Sequence, residues 1–165
     1  MKIETLRTPA PEFIEYCKAH RREHDESHLD NDALSEFIPD KDNPTYLLRG
    51  DGGELLGVAS LMLGGAFRKN KKGRFRILHA RSLSFDAYSA LLNAAIGDLL
   101  GIETAYLFLP EEKADAGDIL IRLGFFIERY AWVLTRSREA TVPAPVFPEG
   151  YRVEPLRAGA DGKLW

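Results

Sequence analysis

This chain of 165 residues holds one cysteine, Cys17, so it can form no internal disulfide and no multi-cysteine zinc site. It also lacks an excess of positive charge. Lys and Arg number 22 against 25 Asp and Glu, for a net charge of −3. That balance excludes a domain built to neutralise many phosphates, and no nucleic-acid partner is expected. No apolar run reaches membrane-spanning length, and the opening MKIETLRTPAPEF lacks the apolar core of a leader segment. The expectation is a cytoplasmic protein with no membrane partner. Glycine is missing from one informative place. An extended run passes into a helix between Ser82 and Tyr88 with no glycine in the turn, and Asp86 stands near the helix start. Turns of this kind hold phosphates when glycines let the backbone close around the anion.

What is present suits one packed domain with mixed α/β structure. Hydrophobic residues make up 45% of the chain and charged residues 28%, enough for a core and too ordinary for disorder. KIETLR reads as a first strand, and TPAP starts a helix with proline in its first turn. SHLDNDALSEFI reads as a short second helix. TYLLRG and ELLGVASLMLGGAF are strands joined by DGG, a hairpin signal. RKNKKG is a basic turn into the strand RFRILHARS, and the helix DAYSALLNAAIGDLL follows. ETAYLFLP is a strand, EEKADAGDILIRLG a helix ended by Gly124, and FFIERYAWVLTR a last long strand. This order predicts a mixed sheet with helices on both faces.

EATVPAPVFPEG is rich in proline and alanine and reads as a linker over residues 139–149, after a domain of residues 1–138. Residues 150–165 then carry VEPLRAGAD from Val153, which repeats IETLRTPAP from Ile3: Glu4 matches Glu154, Leu6 matches Leu156, Arg7 matches Arg157 and Ala10 matches Ala160. Either two short strands look alike by chance, or a second copy of the domain begins here. A third option is that this segment supplies a strand that completes the sheet.

The order LLGVASLML, FRILHARSLSFDAYSALLNAAI, TAYLFLP and ILIRLGFFIER resembles the GNAT N-acetyltransferases over about residues 1–136. RLGFFIER, Arg122 to Arg129, looks like the family's helix ending in Leu-Gly-Phe. The repeat fits the N-terminal half of a tandem two-domain member. The resemblance implies acetyl transfer from acetyl-CoA to a small-molecule or peptide amine, with the cofactor's pantetheine amides on the central strand at Leu78, Ala80 and Arg81. It implies a pyrophosphate on the next helix within Arg/Gln-x-x-Gly-x-Gly/Ala. Anchored on Ala90, Leu91 and Leu92, that pattern falls on Leu83, Asp86 and Tyr88, and none matches. Tyr88 adds bulk where a backbone would approach an anion, and Asp86 adds a negative charge and is expected to cap the helix itself. The family's thiolate-protonating tyrosine falls on Leu120, and its asparagine falls near Lys113, while Ala116 matches. The implied function is therefore that of a supporting half with a degenerate cofactor loop. Its partner is a second acetyltransferase-like half or a homodimer mate. The alternative is a non-catalytic ligand-binding or dimerisation module on the same fold.

Other residues suggest chemistry of their own. His20, His24 and His28 are spaced four apart, and HRREH has the H-x-x-E-H form of a zinc motif. The apolar stripe of Phe13 and Tyr16 runs into these histidines, so they read as packed or pocket-lining groups, and no metal is expected. His24, Asp25 and His28 are candidates for an acceptor pocket. His79, on the central strand with Phe75 and Ile77 on its alternation face, is either the general base or a satisfied core histidine. Arg68, Lys69, Lys71, Lys72, Arg74, Arg76 and Arg81 form a basic edge, read as a solvated turn or as an attractor of cofactor phosphates.

Overall fold

The structure is a computed structural model and describes residues 1–24, 28–131, 141 and 143–153. The chain divides into two units, Met1–Glu128 and Arg129–Trp165. All elements named below belong to the first unit. From residue 154 onward, the apparent repeat lies outside the described residues.

The strands are β1 (Lys2–Leu6), β2 (Thr45–Arg49), β3 (Leu55–Met62), β4 (Lys72–Ala80) and β5 (Thr104–Tyr106). The helices are α1 (Pro11–His20), α2 (Asn31–Ser35), α3 (Ala66–Lys69), α4 (Phe85–Ile96) and α5 (Ala114–Arg122). The sheet order is β1-β2-β3-β4-β5. The first four strands are antiparallel neighbours, and β5 runs parallel to β4. This is the expected mixed α/β sheet. The β2–β3 hairpin turns as its glycines require: Gly53 sits at φ +87° and its amide donates to the Gly50 carbonyl at 3.0 Å.

Side-chain alternation gives the sheet two apolar faces. Tyr46, Leu48, Ala59, Leu61, Phe75, Leu78 and Ala80 pack with α4 and α5. Leu47, Val58 and Ile77 pack with Phe13, Tyr16 and Cys17 of α1 and with Leu34 of α2. One irregularity matters for the site. Ser60 pairs with Ile77 but Leu61 pairs with Phe75, so Arg76 is an extra residue in β4. The bulge inverts the alternation. Phase counted from the sequence put Phe75, Ile77 and His79 together. In the structure Phe75 faces α4, whereas Ile77 packs with α1 and the His79 ring meets Tyr16 of α1.

FFIERYAWVLTR does not continue the sheet where it is described. Helix α5 closes on Gly124 at φ +97°, with the Phe125 amide donating to the Leu120 carbonyl at 3.0 Å. Phe125–Ala131 then contains no strand, and Phe126 and Tyr130 are 79% and 75% exposed. A strand forms where an edge accepts its amides and carbonyls. The available edge strand, β5, is only three residues long.

Candidate functional site

Strand β5 pairs with Lys72–Arg74 alone, so β4 runs on from Phe75 to Ala80 beyond its parallel neighbour. The backbone groups this exposes are the ones the sequence reading assigned to pantetheine. They meet the chain's own side chains instead. Helix α1 ends at His20, and Arg21–Glu23 tighten into a single 3-10 turn. That turn carries His24 to the β4 edge. Its Nε2 donates to the Leu78 carbonyl at 2.9 Å and lies 3.4 Å from the Leu78 amide nitrogen. The Ala80 amide turns to the hydroxyl of Tyr88, a residue 1% exposed. The Arg81 amide points the other way and donates to the Leu56 carbonyl at 2.8 Å, inside the sheet. Its side chain lies over the Tyr16 ring.

The turn before α4 is closed in the same manner. Ser84 is the N-cap, and its hydroxyl accepts from the Ala87 amide. This corrects the expectation that Asp86 caps the helix. The first helical residue is Phe85, so Asp86 stands inside the first turn, where it leaves a negative charge beside the helix amides.

His79 lies at the centre of a polar cluster. The Tyr16 hydroxyl sits 2.8 Å from its Nδ1 and 3.3 Å from the Leu56 carbonyl oxygen. Glu23 Oε2 is 3.4 Å from His79 Nε2 and 3.2 Å from Lys113 Nζ, and Glu23 Oε1 is 2.8 Å from His20 Nδ1. The rings of His20 and His79 are 4.3 Å apart. Burial, with His20 and His24 nearby, pushes His79 down to about 4. Burial also lowers His24, while burial raises the Tyr16 hydroxyl. Burial alone would raise Glu23, but hydrogen bonds from His20 and Lys113 outweigh it and hold the carboxyl at about 2. At neutral pH the buried His79 imidazole is thus neutral and faces an ionised Glu23 carboxylate.

A cavity of about 250 Å³ opens on this cluster, lined in part by Glu23, His24, His79, Tyr88 and Lys113. His24 is 5% exposed, and its Nδ1 has no partner among the described residues. Of the acceptor-pocket trio, His24 lines the cavity and Asp25 lies outside the described residues. His28 is elsewhere: its Nε2 is 3.0 Å from Arg74 Nη1, and its carbonyl accepts from Arg76 at 3.2 Å. The β4 bulge puts Arg76 on the α1 face, over the Phe37 ring. The basic edge is largely engaged within the chain. Arg68 faces Asp42 at 3.8 Å, Lys71 meets Glu103, and Arg76 donates to Asn43.

Acetyl-CoA held in the manner the resemblance implied does not fit these residues. The Leu78 and Ala80 backbone groups face His24 and Tyr88, Arg81 bonds within the sheet, and the α4 cap is the chain's own serine. Leu120, at the place of the family's acid, is core, packed 3% exposed.

Sequence reasoning missed the role of Glu23. The signal was present, since Glu23 follows His20 by three residues within HRREH. Treating α1 as continuous through His24 paired the two histidines of the motif, whereas the break at His20 pairs His20 and Glu23 with His79.

No protein-family model matches the chain, and no curated protein matches it. Solved structures do. A point mutant of the BH1408 protein from Bacillus halodurans superposes with TM-score 0.58 at 11% identity, over 83% of this chain and 100% of that one. YycN from Bacillus subtilis, provisionally named an acetyltransferase, gives TM-score 0.54 at 14% identity, over 82% and 98%. A protein from an Exiguobacterium species, with the same provisional name, gives 0.52 at 17%, over 79% and 89%. At these identities the likeness is one of fold. Chain order, the mixed five-stranded sheet and these neighbours together define an α/β fold of the acyl-CoA N-acyltransferase type.

Proposed function

We propose that this domain is a supporting, non-catalytic half on an acetyltransferase-type fold, one that does not take acetyl-CoA along its central strand. One observation carries the reading: the His24 ring lies on both backbone groups of Leu78, at 2.9 and 3.4 Å. A pantetheine amide would have to displace that ring from the Leu78 carbonyl. The partner is a second acetyltransferase-like domain, supplied either by a further copy beginning near Val153 or by another copy of this chain. The similarity of Ile3–Pro11 to residues 153–161 supports that reading. The acceptor amine, where one is used, belongs to the partner's site. The single cysteine, buried with its thiol pushed up to about 12 by desolvation, suits a packing role in a reducing compartment.

Isothermal titration of the full chain with acetyl-CoA tests this. No binding is expected up to millimolar cofactor, and micromolar binding that shifts the Leu78 and Ala80 amide resonances would overturn it. A second reading, a ligand-binding module, is favoured by the cavity itself, because its walls carry titratable groups that a purely structural core would not need.

A further inference from the structure

The cluster on the α1 face has a geometry that neither the fold nor the proposed supporting role requires. His20, Glu23 and His79 each offer one ligand atom, and the three atoms lie within 4.8 Å of one another. Two nitrogens and one carboxylate oxygen form a donor set suited to zinc and its neighbours in the first transition series. We propose that His20, Glu23 and His79 bind a divalent transition-metal ion of the zinc type, with the fourth position left open toward the cavity.

The local structure explains why these three converge. His20 is the last residue of α1, and Glu23 closes the 3-10 turn that follows, so both ligands project from one tight turn. His79 comes from the strand beneath, on the face that the β4 bulge turns toward α1. Its outer nitrogen is already oriented. The Tyr16 hydroxyl, 2.8 Å from Nδ1, donates to the Leu56 carbonyl at 3.3 Å and so can accept Nδ1–H, which is the tautomer that would offer the Nε2 lone pair to a metal on the Glu23 side. A hydrogen bond from the far ring nitrogen is how metal-binding imidazoles are usually held. Three protein ligands with an open place is the arrangement of zinc sites that keep a water or a ligand on the metal. Here that place borders a cavity lined by Glu23, His24 and His79.

Lys113 is the competing cation. Its ammonium stands 3.2 Å from Glu23 Oε2, and its side chain is 40% exposed, so it can swing into solvent as the metal takes the carboxylate. The site differs from the one the HRREH spacing suggests. In that motif His20 and His24 are the ligands. Here the 3-10 turn breaks the i, i+4 relation and His24 bonds the Leu78 carbonyl instead.

The test is competition for zinc between the full, tag-free chain and a chromophoric chelator, with cobalt(II) absorption as a second readout. One equivalent of zinc is expected, with the intense visible bands of four-coordinate cobalt. His20→Ala and Glu23→Gln, both at partly exposed positions, should each weaken binding at least about tenfold. Circular dichroism and a urea midpoint in chelator verify that these variants fold. Lys113→Met should bind zinc several-fold more tightly. Absence of competition at ten micromolar zinc would overturn the proposal. So would zinc affinity unchanged in His20→Ala and Glu23→Gln, or binding that survives His79→Ala and is lost in His24→Ala. Because the readouts are metal affinity and cobalt spectra, they stand or fall separately from acetyl-CoA titration.

Discussion

His24 and Leu78 form a side-chain-to-strand contact in the place where a parallel neighbour of β4 is absent: the imidazole Nε2 donates to the Leu78 carbonyl at 2.9 Å. The ring stands in for the missing strand by satisfying a backbone group that would otherwise be buried without a partner. His24→Ala should therefore lower stability by about 2–4 kcal/mol, since it leaves both a void and an unpartnered carbonyl. Urea unfolding measures the loss. Hydrogen exchange at the Leu78 amide should accelerate in the same variant while exchange at Ala59, its partner in β3, changes less. An Ala variant as stable as the parent would show that the ring does not close this edge.

Tyr16 and His79 depend on each other in a similar way. The Tyr16 hydroxyl is the partner of His79 Nδ1 and also reaches the Leu56 carbonyl. Tyr16→Phe keeps the aromatic packing of Tyr16 within the α1-side core and removes one oxygen. A buried imidazole nitrogen then loses its partner, at a cost of about 1–3 kcal/mol. The nitrogen chemical shifts of the His79 ring should change in Tyr16→Phe, while those of His28, which pairs with Arg74, should not.

Much of the scaffold was legible because it rests on local rules. The Pro11 start of α1, the DGG hairpin and the Gly124 stop each follow from backbone conformations that few residues adopt. The site was less legible because two departures from regularity built it. An extra residue at Arg76 reverses which side of β4 His79 faces, and one 3-10 turn after His20 re-aims Glu23 and His24. Neither a bulge nor a helix ending without glycine or proline leaves a composition signal. The mismatched residues Asp86 and Tyr88 were visible as departures. Tyr88 also turns its hydroxyl to the Ala80 amide, and Ser84 takes the capping role assigned to Asp86.

Stability should fall as pH drops below neutrality. His79 titrates at about 4 in the folded protein against 6.5 for an ordinary imidazole. Between those values the unfolded chain binds the extra proton, so stability rises with pH across this window. The contribution is complete above pH 6.5 and is lost as pH falls toward 4. His24, also lowered by burial, acts in the same sense. Glu23, held at about 2 against 4.5, extends the decline to lower pH, because its contribution is present above 4.5 and lost toward 2. Unfolding free energies from urea titration in chelator should fall steadily from pH 7 to pH 4, by ~2–3 kcal/mol on the His79 shift. His79→Gln should flatten that slope, and an unchanged slope would place the titration elsewhere.

Gly57 sets how closely β3 lies against β4 beneath α4. It sits opposite Ala80, and a Cβ there would come within 2.8 Å of the His79 carbonyl oxygen and 3.1 Å of both Ala80 Cα and Leu91 Cδ1. Leu91 can rotate, but the backbone of β4 cannot retreat without disturbing the strand that carries Leu78 and His79. Gly57→Ala should destabilise the domain by about 1–3 kcal/mol through overpacking. Gly97 provides the contrast. It follows α4 at φ −57° and ψ −30°, and a Cβ there meets nothing within 4 Å. Gly97→Ala should therefore be neutral or stabilise by up to about 1 kcal/mol, because it restricts the unfolded chain without strain in the folded one. The two variants measured side by side in urea separate contact from conformational entropy. Equal midpoints would mean that β3 and β4 have room to part at Gly57, and that the strand bearing His79 is not fixed by its neighbour there.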